Sequence, residues 1–449
     1  MSIFRAYDIR GVYESDLTLD VAQDIGKAFG TYIGGKGTVC VGRDVRLSSP
    51  ELSRALIDGI NSTGVSVINV GSVPTPILYF AVYTLGVDGG VMVTGSHNPP
   101  EYNGFKMLKG KDTLYGEYIQ ELKGIIDEGC FMGGKGTLNE KDIVDDYVNY
   151  VAKEIKVSRK IKVVVDGGNG AGGLIASKLY GKLGCDVVEL YCEPDGNFPN
   201  HHPDPTVDEY TIDLREKVKA EKADFGIGFD GDADRAGFIA DDGGIIRGDQ
   251  ALIIFSRDIL TRNPGGKIIS EVKSSQGLFE DVERNGGVPI MYRTGHSFIK
   301  KKLKEEQALI AGEMSGHFFF KERWFGFDDA IYAGARMLEI LSKSDDSASG
   351  ILASLPKYYS TPEIRVSCPD DKKFGLVDSV TKALKDRGLN VVTVDGARVT
   401  FPDGWGLVRA SNTSPKIILR FEAKTMERLE EIKELILSEV RKHPEAEIN

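Results

Sequence analysis

The chain has 449 residues, enough for roughly three domains at about 150 residues each, and its apolar share of 41% is ordinary for a globular protein with several cores. Its formal net charge of −11, from 56 basic and 67 acidic residues, argues against nucleic acid or anionic membranes as partners and demands a local basic pocket for any anionic substrate. No apolar run approaches the ~18 residues of a membrane span, the N-terminus carries charges where a signal peptide needs an apolar core, and the five cysteines form no CxxC pair, so a cytoplasmic protein with reduced thiols is expected.

Strand-like and helix-like segments alternate along the chain. Val39-Cys40-Val41 is an apolar run, and Ser48-Ser49-Pro50 follows as a cap with proline in the first turn, opening a helix through Ile60. Val91-Met92-Val93 predicts a buried strand that stops at Thr94-Gly95-Ser96-His97-Asn98-Pro99-Pro100. The same order returns twice. Ile161 to Val165 leads into Asp166-Gly167-Gly168-Asn169-Gly170 and a helix; Lys267 to Val272 leads into Lys273-Ser274-Ser275-Gln276 and another. Apolar strands alternating with helices indicate mixed, mostly parallel sheets covered on both faces. Boundaries are expected near Val157, Arg247 and Lys357, giving segments 1–156, 157–246, 247–356 and a smaller 357–449. The last carries a charged helix from Lys424 to about Lys442, with Leu429, Ile432, Leu435 and Ile436 on one face.

Four segments carry chemistry. In the first, Pro99 and Pro100 end the regular structure after Val93, and Gly95 permits unusual backbone angles. Ser96 is thereby expected on a rigid, water-facing loop at a strand end, where a nucleophile would sit. A G-x-S-x-G elbow is excluded, because Thr94 and Asn98 stand where glycine is required. His97 would point away from Ser96 on an extended chain and could help only if the loop bends. A turn serine bonding its own backbone is the plainer alternative; Lys106, a cation on the next extended stretch, weighs against it.

In the second, the Gly-containing strand Phe225 to Phe229 ends in Asp230, Asp232 and Asp234, spaced by two among Gly and Ala. Carboxylates so close repel unless a cation lies between them, and all-oxygen donors favour Mg²⁺ or Ca²⁺ over zinc. The alternative is an acidic surface turn. In the third, Glu313, Ser315 and His317 alternate after the apolar run Ala308 to Ala311, so an extended backbone would aim all three one way, suited to vicinal hydroxyls of a sugar. An edge-strand polar face explains that segment equally well. In the fourth, Arg409-Ala410-Ser411-Asn412-Thr413-Ser414 offers a guanidinium, hydroxyls and loop amides to a phosphate. Lys273 and His296 are single residues after a strand and a turn.

Together these segments resemble the α-D-phosphohexomutase family, along the whole chain and in the same order; the wording Glu313-Met314-Ser315-Gly316-His317 is most similar to the phosphomannomutase/phosphoglucomutase branch. The resemblance implies three similar α/β domains and a smaller α+β C-terminal domain around a central cleft. It implies Ser96 as the phosphorylated serine, with Ser96, Asp230, Asp232 and Asp234 holding Mg²⁺, and a hexose 1,6-bisphosphate intermediate. Phe4-Arg5-Ala6-Tyr7-Asp8-Ile9-Arg10-Gly11 also fits, placing Tyr7 and Arg10 near the serine. Arg235, Lys273, His296, Glu313, Ser315, His317, Arg409, Ser411, Asn412, Thr413, Ser414 and Arg420 are then expected to bind a sugar phosphate. Arg10, His97, Lys106 and His296 are candidates for proton transfer. The preferred sugar and the oligomeric state stay open. A glucosamine or pentose phosphomutase, a non-catalytic sugar-phosphate-binding protein, and a phosphoryl carrier at Asp230 with Asp328-Asp329 as second acidic pair are the competing expectations.

Overall fold

The structure is a computed structural model and describes residues 3–5, 7–412 and 414–447. The chain packs as two compact units. One comprises Met1–Ala251 with Ser315–Ala353, the other Leu252–Met314 with Ser354–Asn449.

In the first unit, the strand Thr38–Arg43 lies parallel to Ser66–Ser72 on one side and to Gly89–Val93 on the other. The strand Tyr102–Lys109 then returns antiparallel to Gly89–Val93, and Ile9–Val12 pairs antiparallel to it in turn. All five residues of Gly89–Val93 are buried. Side chains such as Val91 and Val93 each contribute about 1.5–3 kcal/mol by leaving water, and this burial fixes the strand end from which the Ser96 loop departs. Helices Leu19–Ile33 and Ser49–Asn61 supply Ile25, Phe29, Leu52, Leu56 and Ile60 to the same core. The predicted opening of the second helix holds, with proline in its first turn, but Ser48 makes no capping hydrogen bond. Its hydroxyl instead accepts from Asn103 Nδ2 at 2.8 Å.

The second sheet of this unit places Phe225–Phe229 parallel to Lys162–Asp166 and antiparallel to Ala236–Ala240. Antiparallel returns of this kind give the sheets the mixed character expected; the apolar runs do not say which strands return, since a central strand looks alike whichever way its neighbour points. The six-residue connection after Phe229 holds the three aspartates.

In the second unit, Lys267–Glu271 lies between Val288–Tyr292 and Ile310–Gly312, parallel to both. A separate antiparallel sheet contains Ala397–Phe401, Gly404–Ala410 and Lys416–Ala423 in sequence. One face of it, with Val399, Val408, Ile417, Leu419 and Phe421, forms a core under the helices Lys373–Asp386 and Met426–Val440. In the latter helix Leu429, Ile432 and Ile436 are buried as expected, while Leu435 is half-buried and Leu437 and Val440 complete the face. Among the described residues no helix is long and apolar enough to cross a membrane.

Candidate active site

The loop between Gly89–Val93 and Tyr102–Lys109 presents Ser96 with φ +51°. This left-handed conformation costs an L-residue on the order of 1–2 kcal/mol. The Ser96 N–H donates to Thr94 Oγ1 at 2.8 Å. Its hydroxyl donates to Asp230 Oδ2 at 2.9 Å and lies 3.2 Å from His97 Nδ1. The positive φ bends the chain, so neighbours that would diverge on an extended strand share one side. Ser96 is not water-facing, as its loop position suggested; it is 1% exposed. The carboxylates lie directly over it, where Gly231 has no side chain: a Cβ there would approach the Ser96 carbonyl oxygen to 2.5 Å.

Asp230, Asp232 and Asp234 are all buried. Asp230 Oδ1 accepts from the N–H groups of Asp234 and Arg235, both at 3.1 Å. Asp232 Oδ2 accepts from Thr75 Oγ1 at 2.5 Å and from Lys106 Nζ at 2.6 Å, and Asp234 Oδ2 accepts from Lys106 Nζ at 2.5 Å. His317 Nε2 lies 3.2 Å from Asp234 Oδ1 and 4.0 Å from Asp328 Oδ2, while Ser315 Oγ lies 3.0 Å from His317 Nδ1. Arg235 Nε stands 3.4 Å from His317 Nε2 and 4.0 Å from both Asp230 and Asp234. Arg10 donates to Asn98 Oδ1 and Asp8 Oδ2, both at 2.5 Å, and so joins the Ser96 loop from the first strand. Tyr7 is half-buried in the bend before that strand.

Charge is unevenly settled in this cluster. Burial, then Asp234 and Asp232, push the Asp230 carboxyl well above the usual carboxylate range. Burial also opposes ionisation of Asp234, but Lys106 and His317 outweigh it and hold that carboxyl well below the range. Lys106 is held above its ordinary value, since Asp232, Asp234 and Asp230 overcome its burial. Burial, with Arg235 and Arg10, keeps His97 neutral.

The second unit holds the remaining candidates. The extended run expected from Glu313 to His317 does not form: the strand ends at Gly312, residues 314 and 315 turn, and Gly316 has φ +83°. Glu313 Oε1 accepts from the Gly295 N–H at 2.8 Å, next to His296, the half-buried first residue of the helix His296–Glu306. Lys273 Nζ lies 3.2 Å from Glu363 and 3.6 Å from Glu271. Arg409 Nε donates to Asp395 Oδ2 at 3.0 Å. Ser411 Oγ accepts from the N–H and the hydroxyl of Ser414 at 3.2 and 2.9 Å, and Asn412 is half-buried between them in sequence. Thr413 lies outside the described residues. Leu407 pairs with both Arg398 and Arg420, so these two arginines and Arg409 share the sheet face opposite the apolar core. An otherwise acidic chain thus concentrates three guanidinium groups on one face.

Residues 1–130, 145–244, 247–359 and 363–439 match, in order, the four domains described as phosphoglucomutase/phosphomannomutase alpha/beta/alpha domains I, II and III and the C-terminal domain. The chain belongs to the phosphoglucomutase/phosphomannomutase family. A phosphomannomutase/phosphoglucomutase of Pseudomonas aeruginosa is 50% identical over 442 residues, covering 98% of this chain and 96% of that protein. A phosphoglucomutase of Neisseria gonorrhoeae is 49% identical over 448 residues, covering 98% and 97%. A crystal structure of a phosphoglucomutase/phosphomannomutase family protein from Burkholderia thailandensis superposes with a TM-score of 0.94 at 46% identity, covering 99% of each chain.

The carboxylate cluster of this family member fits a divalent cation on its own geometry. One oxygen from each of Asp230, Asp232 and Asp234 lies within 4.8 Å of the others. Asp232 Oδ1 is buried without any hydrogen-bond donor, a cost that a cation ligated there would remove. All donors are hard oxygens.

Thr75, Glu271, Thr294, Asp395 and Arg398 escaped the sequence, and Asp328 and Asp329 are expected from it only as a second acidic pair. Thr75 binds Asp232 through both its hydroxyl and its N–H, the latter reaching the Asp232 carbonyl at 2.9 Å. Asp328 lies beside His317, whereas Asp329, its neighbour, caps the helix Ala330–Lys343 and accepts from Tyr147. The two do not act as one acidic pair. Glu271, fully buried, accepts from the Met314 N–H at 2.9 Å and from Thr294 Oγ1 at 2.5 Å, and Asp395 takes the Thr294 N–H at 3.0 Å. Thr294 therefore links the Glu313 turn to Arg409. Arg398 donates to the carbonyls of Val272 and Ser274 on either side of Lys273 and stacks on Trp405 at 3.8 Å. Thr75, Glu271, Thr294, Asp395 and Arg398 are ordinary polar residues whose partners are remote in sequence, so no local pattern marks them.

Proposed function

We propose that this enzyme, an intramolecular phosphotransferase, interconverts hexose 1-phosphate and hexose 6-phosphate, of mannose and of glucose, through phosphorylated Ser96 and a hexose 1,6-bisphosphate. One observation carries the reading: the Ser96 hydroxyl donates to Asp230 at 2.9 Å, at the edge of three buried carboxylates, two of them bridged by Lys106. In the forward half-reaction the P–O bond to Ser96 Oγ breaks and a bond forms from phosphorus to the free hydroxyl of the sugar. That hydroxyl's proton leaves to a nearby base, and Ser96 Oγ takes up a proton as its P–O bond breaks. After the bisphosphate reverses, its other phosphoryl group returns to Ser96 and the sugar oxygen that releases it takes up a proton, while the serine proton has two acceptors in reach, Asp230 Oδ2 and the neutral His97 Nδ1.

Mg²⁺, held by Asp230, Asp232, Asp234 and an oxygen of the phosphorylated serine, would supply positive charge for the phosphoryl group in transfer. Lys106 keeps two of these carboxylates paired and adds charge of the same sign. Arg409, Ser411, Asn412, Thr413 and Ser414, with Arg420, bind the phosphate that is not reacting. Glu313, His296, Lys273, Ser315, His317 and Arg235 recognise the sugar phosphate, and Tyr7 and Arg10 act beside the serine. Residues 1–156, 157–246, 247–356 and 357–449 then carry phosphoryl transfer, metal binding, sugar recognition and phosphate binding. Names of relatives at about half identity support both sugars.

The test is turnover of mannose, glucose, glucosamine and pentose 1-phosphates with Mg²⁺ and a hexose 1,6-bisphosphate primer. Mannose and glucose phosphates are expected to turn over, and Ser96→Ala to abolish both reactions. Binding of these phosphates without any turnover in the wild type would show a sugar-phosphate sensor instead.

A further inference from the structure

Arg46 belongs to no motif that marks this chemistry, yet it is the most heavily engaged side chain beside the Ser96 loop. It lies just after the strand Thr38–Arg43, and its side chain has no exposure to solvent. Nη2 donates to the carbonyl oxygens of Ser96 at 2.7 Å and Asn98 at 2.5 Å. Nη1 donates to those of Pro99 at 2.5 Å and Tyr102 at 2.9 Å. Nε lies 3.2 Å from Asp44 Oδ2, the oxygen that also accepts the Gly95 N–H at 3.1 Å. The Phe198 ring sits 5.1 Å from the guanidinium carbon. One planar cation thus gathers four carbonyls from a seven-residue stretch, while its carboxylate partner fixes the residue before the serine. Gly95 makes the approach possible, because a Cβ there would lie 2.5 Å from Arg46 Nε.

The consequence for Ser96 is direct. Its carbonyl is held between Arg46 Nη2 and the backbone of Gly231, and its N–H by Thr94. Both peptide groups flanking Ser96 are anchored, so its positive φ is imposed, and from that backbone its Oγ reaches Asp230 Oδ2 and His97 Nδ1. A lysine has the charge but presents three donors from one nitrogen, and cannot span four carbonyls.

We propose that Arg46 is a positioning residue for phosphoryl transfer: it sets the Ser96 loop in the geometry that aims Oγ at the carboxylate cluster, without touching substrate. This rests on the function proposed above. Because a misplacement of about 1 Å in a reacting group costs about 100-fold in rate, Arg46→Lys is expected to lose about 100-fold in kcat. KM for the sugar phosphate should stay within about twofold, since its recognition lies elsewhere.

The experiment compares wild type, Arg46→Lys, Arg46→Ala and Asp44→Asn in steady-state turnover and in single-turnover labelling of Ser96 from a hexose 1,6-bisphosphate, with the folded fraction read by circular dichroism. Arg46→Ala should recover at least about tenfold in kcat with added guanidinium ion, which can re-form the planar contacts, and not with methylammonium. Wild-type kcat in Arg46→Lys would overturn the proposal. So would a loss that follows the folded fraction and is indifferent to guanidinium. Should neither Arg46 variant fold, Asp44→Asn decides: it keeps the arginine and weakens its anchor, and must lower kcat about tenfold at unchanged KM, an unchanged kcat counting against the proposal. Absence of label on wild-type Ser96 overturns the underlying mutase reading as well, and so separates the two failures.

Discussion

Replacing Lys106 by methionine removes the ammonium between Asp232 and Asp234 and keeps a stem of similar length. The lysine is 4% exposed and its nitrogen lies 2.6 and 2.5 Å from the two carboxylates. Stripping one partner from a buried ion pair costs about 3–5 kcal/mol, because the remaining charge stays desolvated. At roughly 2–4 °C per kcal/mol for domains of a few hundred residues, the melting temperature in EDTA should fall by about 6–20 °C. Mg²⁺ then acts differently on the two proteins. In the wild type it shares carboxylate oxygens with the ammonium; in Lys106→Met it takes the place of the charge that the ammonium supplied. At about 100 times its Kd it returns about 2.7 kcal/mol to the variant, and the gap between the proteins should narrow in Mg²⁺ by the amount by which this exceeds the wild type's own gain. Thermal melts monitored by tryptophan fluorescence, in EDTA and across an Mg²⁺ titration, measure both quantities. A variant as stable as wild type in EDTA, or equal Mg²⁺ shifts in the two proteins, would refute this description of the cluster.

Three further outcomes follow from the same geometry. Asp230 carries a carboxyl pushed far up by burial and by Asp234 and Asp232, so Mg²⁺ must displace a proton to use it, and its affinity should rise with pH; calorimetry in buffers of different ionisation enthalpy should register the released proton. Gly231→Ala would drive a Cβ to 2.5 Å from the Ser96 carbonyl oxygen, and kcat should drop about 100-fold while circular dichroism stays native; unimpaired turnover would contradict the close packing of the two loops. Asp329 is raised to about 7, chiefly by burial, against about 3.9 unfolded. The folded state therefore holds a proton that the unfolded state lacks, and stability falls as pH climbs from about 4 to about 7. Asp329→Asn should remove this contribution, up to a few kcal/mol in the unfolding free energy from urea titrations, and an unaltered pH slope would show that Asp329 does not supply it.

What the sequence makes legible here is local and chemical. The glycine and prolines around Ser96, and three aspartates spaced by two after an apolar strand, announce loops whose side chains have few structural uses. The strands that carry them are legible too, because Val91 to Val93 and Phe225 to Phe229 are apolar runs bounded by breakers. Position in space is another matter. Ser96 looks solvent-facing from its prolines but is buried, because a carboxylate 134 residues away closes over it. Alternation of Glu313, Ser315 and His317 suggests a strand, yet Gly316 turns the chain and His317 joins Asp234. Thr75 and Asp232 are 157 residues apart, and Arg46 lies 50 residues from the serine carbonyl it holds. No periodicity encodes such pairs; they exist only once the sheets have assembled.

The central claim is that a phosphoryl group resides on Ser96 between half-reactions. Purified wild-type protein incubated with glucose 1,6-bisphosphate and Mg²⁺, then digested and sequenced by tandem mass spectrometry, tests it directly. The account predicts one phosphoryl group per chain, on Ser96 alone, discharged when excess hexose monophosphate is added. A modification on Asp230 or another residue, or a label that survives that discharge, would contradict it.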